Sequence, residues 1–267
     1  MIWIHKGDCR DVLNSLPCKS AHCVVTSPPY WGGLRDYGDP RQIGLERQPA
    51  DYVEILVAVF ADVRRVLRLD GSLWLNVGDV YAASGKGGGG NQGERHAWAT
   101  VKERKGFRMP PPGYKRKDLT LIAFQLADAL RRDGWYLRST VVWRKPSAVE
   151  PMRLDRPAVS HEYLFLLTPS EHCTVRNPGE SWWGHTVWEI APENEAEHPA
   201  AFPAELARRC ILAGSQEGDT VLDPFAGHGT TGFVAGRLKR DAVLIELNNG
   251  FAAKADTRIR SDLFAAF

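Results

Sequence analysis

Two stretches of this 267-residue chain carry residue types that could work together chemically. Near the start, Thr26-Ser27-Pro28-Pro29-Tyr30-Trp31 offers a hydroxyl, a stiff backbone and two aromatic rings. Near the end, Asp223-Pro224-Phe225-Ala226-Gly227-His228-Gly229-Thr230-Thr231-Gly232 sets an acid before a glycine-rich turn. The first stretch can hold a flat ring that bears an amine. Such an amine is a poor nucleophile, because its lone pair is delocalised into the ring. Two acceptors on its N–H groups would draw the nitrogen toward tetrahedral geometry, and the Ser27 hydroxyl and the Pro28 carbonyl are suited to that. Pro28 and Pro29 lack amide donors and fix the backbone that presents the carbonyl. Tyr30 can stack on the ring, a contact worth about 1–3 kcal/mol for any base. The second stretch can hold a nucleoside-like cofactor, since glycines let the backbone approach closely and a following helix offers free N–H groups. Together they imply methyl transfer from a sulfonium to the exocyclic amine of a base, achieved by alignment and without a covalent intermediate.

The flanking elements position both stretches at strand ends. Residues 1–8 read as a strand ending at Gly7-Asp8, followed by a short helix through Leu16. Ala21 to Thr26 is a β-branched run stopped by two prolines, which predicts a buried strand with Ser27 at its end. Val53, Leu56, Val57, Phe60, Val63, Val66 and Leu67 recur at helical spacing over 51–69, Asp70-Gly71 closes that helix, and Ser72–Val77 is the next strand. Helices follow over 119–132, 203–212, 231–238 and 251–260, with strands over 135–143, 163–167, 219–222 and 242–245. The last of these strands ends in Glu246, as expected of an acid that accepts hydrogen bonds from two ribose hydroxyls. Strands alternating with helices predict an α/β domain with a mostly parallel sheet.

Bulk composition narrows the function classes. A net charge of +2 leaves nucleic-acid affinity to local clusters. Such a cluster lies in residues 82–118, which lack apolar periodicity and are rich in glycine and in Lys86, Arg95, Lys102, Arg104, Lys105, Arg108, Lys115, Arg116 and Lys117. Of nine tryptophans, Trp74 sits in an apolar run, whereas Trp98, Trp182 and Trp183 lie among polar residues. The latter are therefore expected to be available to a ligand rather than committed to packing. Five cysteines, Cys9, Cys18, Cys23, Cys173 and Cys210, form no C-x-x-C pair, so no metal site is expected. The chain has no apolar run near the ~20 residues that span a bilayer, and its start lacks the apolar segment of a secretion signal. A cytoplasmic protein without a membrane partner is expected.

At these motifs the chain resembles the AdoMet-dependent DNA amino-methyltransferases, which make N4-methylcytosine or N6-methyladenine. The amine motif precedes the cofactor motif, an order similar to that of the permuted β group. The resemblance covers nearly the whole chain and implies one Rossmann-like catalytic domain over 1–267 with a circularly permuted motif order. It implies Ser27, Pro28, Pro29 and Tyr30 as the catalytic motif. For S-adenosyl-L-methionine, which leaves as S-adenosyl-L-homocysteine, it implies Asp8, Thr26, His198, Phe202, Pro203, Asp223, Pro224, Phe225, Gly227, Gly229, Thr230, Thr231 and Glu246. The substrate would be double-stranded DNA with one base flipped out, at a cost of a few kcal/mol. A target-recognition segment would fall at 170–197, including Trp182 and Trp183, and share its task with the basic insertion. The resemblance also implies a restriction–modification setting with a cognate endonuclease, and a homodimer. Serine at the head of the motif accompanies cytosine enzymes in this family more often than adenine enzymes.

Other functions fit the motifs less well. Pro17-Cys18 resembles the nucleophile context of cytosine C5 methyltransferases, but there the cofactor motif comes first. Enzymes acting on RNA or on a protein amide also usually carry the cofactor motif first. A binding protein with a dead pocket would have no use for Ser27, Tyr30, Asp223 and Glu246 together. For the basic insertion, replacing Lys102, Arg104 and Lys105 with alanine is predicted to weaken DNA binding and to flatten its dependence on salt. Binding isotherms across a salt series read this out, and an unchanged slope would refute phosphate contact by these three residues.

Overall fold

A computed structural model describes residues 1–32, 35–36, 39–83, 102–103, 109–146, 154–175, 178–193 and 202–265. In chain order the elements are β1 (Ile2–Lys6), α1 (Cys9–Ser15), β2 (Ala21–Thr26), β3 (Arg35–Asp36), α2 (Pro49–Val66), β4 (Leu67–Val77), β5 (Lys102–Glu103), α3 (Ile122–Arg132), β6 (Tyr136–Arg144), β7 (His161–Thr168), a 3-10 turn (Ser181–Gly184), β8 (Val187–Glu189), α4 (Ala204–Gly214), β9 (Thr220–Asp223), α5 (Thr230–Arg237), β10 (Asp241–Glu246) and α6 (Asn249–Ala265). Among the described residues, eight strands form one sheet in the order β1-β10-β9-β2-β4-β7-β6-β8, and β3 pairs with β5 separately. Among these described strands of the large sheet, only β7 runs antiparallel to its neighbours.

The sheet is covered on both faces, as a parallel sheet must be. One apolar cluster joins α1, α2 and α3 to one face through Leu13, Leu56, Phe60, Val63, Leu126 and Leu130. The other joins α4, α5 and α6 to the opposite face through Leu206, Ile211, Val234 and Ile259. From β9 the chain passes through α5 to β10 on one side, and from β2 it passes through α2 to β4 on the other. The adjacent strands β9 and β2 therefore form a topological switch point. A crevice opens beyond their carboxyl ends, where α/β proteins bind ligands.

Three boundaries differ from the sequence reading. α2 ends at Val66 and β4 begins at Leu67, so Asp70-Gly71 lies inside a strand. A side chain at Gly71 would meet the His22 carbonyl at 2.7 Å, so this glycine marks the close approach of β2 and β4 at the register shift between Ala21 and Cys23, not a helix stop. α3 starts at Ile122, after Leu121 takes a left-handed backbone and Leu119 bridges to Tyr81. Residues 170–200, expected to be irregular, supply the 3-10 turn and β8, the parallel edge strand beside β6. Among the described residues, no helix is long and apolar enough to cross a membrane.

Candidate active site

The two motifs, 197 residues apart, are joined by one buried node. β2 pairs with β9, Cys23 with Val221 and Val24 with Leu222. That register brings the Thr26 hydroxyl to Asp223 Oδ1 at 2.6 Å. Thr231, in the first turn of α5, donates to Asp223 Oδ2 at 2.6 Å and also approaches the Val25 carbonyl at 3.2 Å. The Phe225 amide adds a third bond to Asp223, to Oδ1 at 3.0 Å. Burial pushes the Asp223 carboxyl up to about 6, against the lowering effect of the Thr231, Thr26 and Phe225 bonds. A carboxylate has about four lone-pair sites, so most of its capacity is spent inside the protein. Asp223 thus shapes the crevice wall more than it reaches outward. Thr231 binds the acid rather than capping the helix, and the residue that precedes α5 is Gly229, in a left-handed backbone.

Glu246, at the end of β10, faces the same turn. Its Oε2 accepts from the Gly227 amide at 2.7 Å and its Oε1 from the Asn248 amide at 2.8 Å. Burial raises this carboxyl to about 7 against those amides, and the nearby Asp223 charge adds to the rise. One strand further out, Asp8 caps α1 through the Arg10 amide and holds the Arg10 guanidinium, at 2.9 Å from Nε and 2.5 Å from Nη2. Burial would raise Asp8, but the Arg10 and Arg41 contacts outweigh it and keep the carboxyl below its ordinary value. Pro224 and Thr230 are buried in the turn, with Phe225 and Gly227 partly accessible. Gly229 packs against Ala255 of α6, and His228 fills the space beside Phe251 with ring centroids 4.6 Å apart. Phe202 and Pro203 are buried at the start of α4. His198 lies outside the described residues, as do Lys86, Arg95, Trp98, Arg104, Lys105 and Arg108.

Ser27 and Tyr30 leave β2 on the other flank of the node. The Pro29 carbonyl is held by the Tyr52 hydroxyl from α2 at 3.0 Å, and Trp31 is buried with its indole on the Glu46 carbonyl at 2.8 Å. The motif is therefore anchored both behind and beyond Tyr30. Gly78, just after β4, leaves room for the Tyr30 ring, because a side chain there would meet Cε2 at 2.7 Å. The Tyr30 phenol donates to Glu162 Oε2 at 2.7 Å and lies 3.4 Å from Asn76 Oδ1. Burial raises the phenol well above its ordinary value, Glu162 raises it further, and Ser27 opposes both. Tyr52, Asn76, Gly78, Lys145 and Glu162 were not among the residues singled out from sequence. The signal that could have found the last two is a lysine just past one strand and a glutamate near the start of the next.

The remaining candidates fall differently. Trp182 is a correction to the expectation of an available ring. It is buried and packed edge-on against Trp188 at 5.0 Å and Trp183 at 6.1 Å, so packing accounts for it. Trp183 is partly buried against Trp74 at 6.5 Å. Lys115, Arg116 and Lys117 lie at the surface, and Lys117 pairs with Asp155 at 2.5 Å. Lys102 is described only by its place in β5. Among the described residues, no group of three or more His, Cys, Asp or Glu side chains could hold a metal ion. Cys18 precedes β2, and six strand residues at about 3.3 Å each place it roughly 20 Å from Ser27. It cannot serve the same crevice as a nucleophile. Burial pushes the Cys9 and Cys23 thiols up to about 12, which makes them inert.

Known proteins of similar sequence and fold point to one family. A family model described as DNA methylase, covering N6 and N4 enzymes, matches residues 21–256. The type II methyltransferase M.SmaI of Serratia marcescens is 43% identical over 270 residues, covering 95% of this chain and 89% of that protein. M.Cfr9I of Citrobacter freundii is 44% identical, covering 97% and 88%. Among solved structures, a DNA modification methylase of Thermus thermophilus in complex with S-adenosyl-L-methionine has a TM-score of 0.71 at 28% identity, covering 98% and 94%. The cytosine-N4-specific PvuII DNA methyltransferase has a TM-score of 0.73 at 20% identity, covering 96% and 86%, a likeness of fold.

The node makes its own prediction. Thr26→Val keeps the shape but strips one donor from a buried carboxylate, which should cost about 1–3 kcal/mol of stability. Urea unfolding measures this, and an unchanged midpoint and slope would show that the node does not hold β2 to β9.

Proposed function

This chain belongs to the N6/N4 family of AdoMet-dependent DNA methyltransferases, and from that premise we propose that it methylates the N4 amine of a cytosine flipped out of duplex DNA. The observation that carries this reading is the Thr26–Asp223 bond, which sets the Ser27–Tyr30 motif and the Gly227–Glu246 turn on one crevice. Bound there, S-adenosyl-L-methionine would supply an electrophilic methyl group on a sulfonium. Glu246 suits a pair of ribose hydroxyls, since an ionised carboxylate is an acceptor on both oxygens. The turn residues Pro224, Phe225 and Gly227, with Phe202 and Pro203, would line the rest of the cofactor pocket. Asp8 and Arg10, at the end of β1, would border it.

On the base side, the Ser27 hydroxyl and the Pro28 carbonyl would accept the two amine hydrogens. That draws the nitrogen lone pair out of conjugation and points it at the methyl carbon. Tyr30 would stack on the base, and Tyr52 would keep the motif backbone from shifting. The proton released on methylation passes to solvent after transfer, because the methylated amine is far less acidic than its transient cation. Cytosine is favoured by Ser27 at the head of the motif, where the family's adenine enzymes more often have aspartate. The basic insertion with Lys115 and Arg116 would grip phosphates beside the gap. The relatives' restriction–modification setting implies a cytoplasmic protein working with an endonuclease that cuts the same unmethylated sequence.

Two tests follow from this. DNA from a methylation-free host that expresses the chain should contain N4-methylcytosine on nucleoside analysis. N6-methyladenine instead would overturn the choice of base, and neither product would overturn the function. Tyr30→Ala should cut that methylation about 10- to 100-fold, the equivalent of one lost base stack. The second test uses pH. Glu246 has its folded value raised from 4.5 to about 7, so the folded chain holds this proton over a range where the unfolded chain has lost it. Its contribution to stability therefore falls as pH rises between those limits. AdoMet affinity should do the opposite and rise as the carboxyl ionises through about pH 7. Glu246→Gln should bind weakly at every pH, and calorimetry that finds the same pH dependence in both proteins would contradict the role of Glu246.

A further inference from the structure

Tyr30 is held from outside its own motif, by a part-buried charge pair where β6 ends and β7 begins. Glu162, the second residue of β7, lies opposite Trp143 of β6, and Lys145 follows β6. Lys145 Nζ donates to Glu162 Oε1 at 2.5 Å, while Glu162 Oε2 accepts from the Tyr30 phenol at 2.7 Å. The two charged side chains are only 10% and 17% exposed. The ammonium also lies 4.4 Å from the Trp143 ring centroid. Taking an ion pair this far out of water gains little stability on its own, since an apolar pair often serves as well. What the pair adds here is a fixed acceptor for one phenol.

We propose that Glu162, with its charge balanced by Lys145, is a positioning residue that clamps Tyr30 in the orientation that stacks on the flipped base. Tyrosine has two side-chain torsions to fix. Gly78 admits the ring on one side, and Glu162 pins its far end, so the ring face is set before any base arrives. Asn76 supports the same hydroxyl at 3.4 Å and is itself held by the Tyr163 carbonyl at 3.1 Å. The clamp rests on the reading of Tyr30 as the stacking residue. It differs from a catalytic role because Glu162 touches Tyr30 and not the reacting atoms.

The test combines kinetics with a spectroscopic readout that does not need activity. Glu162→Ala should lower kcat about 10- to 100-fold, as expected when a reacting group is loosely placed, with the KM for AdoMet unchanged. Tyr30→Phe should reproduce that loss, and Tyr30→Phe with Glu162→Ala should be no worse than either alone. Lys145→Met with Glu162→Gln removes the charges but keeps an acceptor, and it should restore most of the rate. Multiplicative defects in the Tyr30–Glu162 pair, or no recovery with glutamine, would overturn the proposal. Carbon NMR of the Tyr30 phenolic carbon, assigned with Tyr30→Phe, should show titration at lower pH in Glu162→Ala than in the parent. Identical titration would overturn the clamp whatever the kinetics. A parent chain that methylates no DNA but shows the titration difference would retain the clamp and remove the functional reading instead.

Discussion

The Asp223 carboxylate is the interaction on which the rest of the structure depends. It accepts from Thr26 on β2 and Thr231 on α5, both at 2.6 Å, and from its own turn. These bonds close the carboxyl ends of β2 and β9 against each other at the point where the chain diverges to opposite sides of the sheet. Buried polar groups are costly unless satisfied, so the three donors specify one arrangement of strand ends. Everything that faces the crevice, from Glu246 on one flank to Ser27 and Tyr30 on the other, inherits its placement from that arrangement.

The order of motifs along the chain therefore matters less than the order of strands in the sheet. Residues 26–31 come first and residues 223–232 come late, yet β2 and β9 are neighbours. A circular permutation leaves the site unchanged because parallel strands of one sheet present their carboxyl ends on one side regardless of connection. On one face α2, packed with α1 and α3, holds the Pro29 carbonyl through Tyr52, while α4, α5 and α6 cover the other face.

Much of this was legible in the sequence, and the limits are physical. The candidate residues were read at strand ends, and the run Ala21–Thr26 with two prolines after it does end a strand just before Ser27. Asp223 and Glu246 were likewise visible as acids at consecutive strand ends. What stayed hidden depends on register between distant strands. Lys145 and Glu162 meet only because β6 and β7 pair with Trp143 opposite Glu162, which no local pattern encodes. Trp182 looked available because its neighbours in sequence are polar, whereas its neighbours in space are tryptophans. Asp70-Gly71 mimicked a helix stop because a glycine at a strand's close approach and a glycine after a helix read alike in sequence. The basic insertion was legible as charge, but charge alone does not say which residue meets which phosphate.

In the proposed function, one crevice brings a base amine to a sulfonium methyl. The most direct measurement incubates the purified chain with AdoMet labelled on its methyl carbon and with unmethylated duplex DNA, in parallel with Ser27→Ala. Label is expected on an exocyclic amine nitrogen of the DNA with the parent chain, and little or none with the variant at equal AdoMet binding. Label on a ring carbon, label on protein alone, or equal transfer by both chains would contradict it.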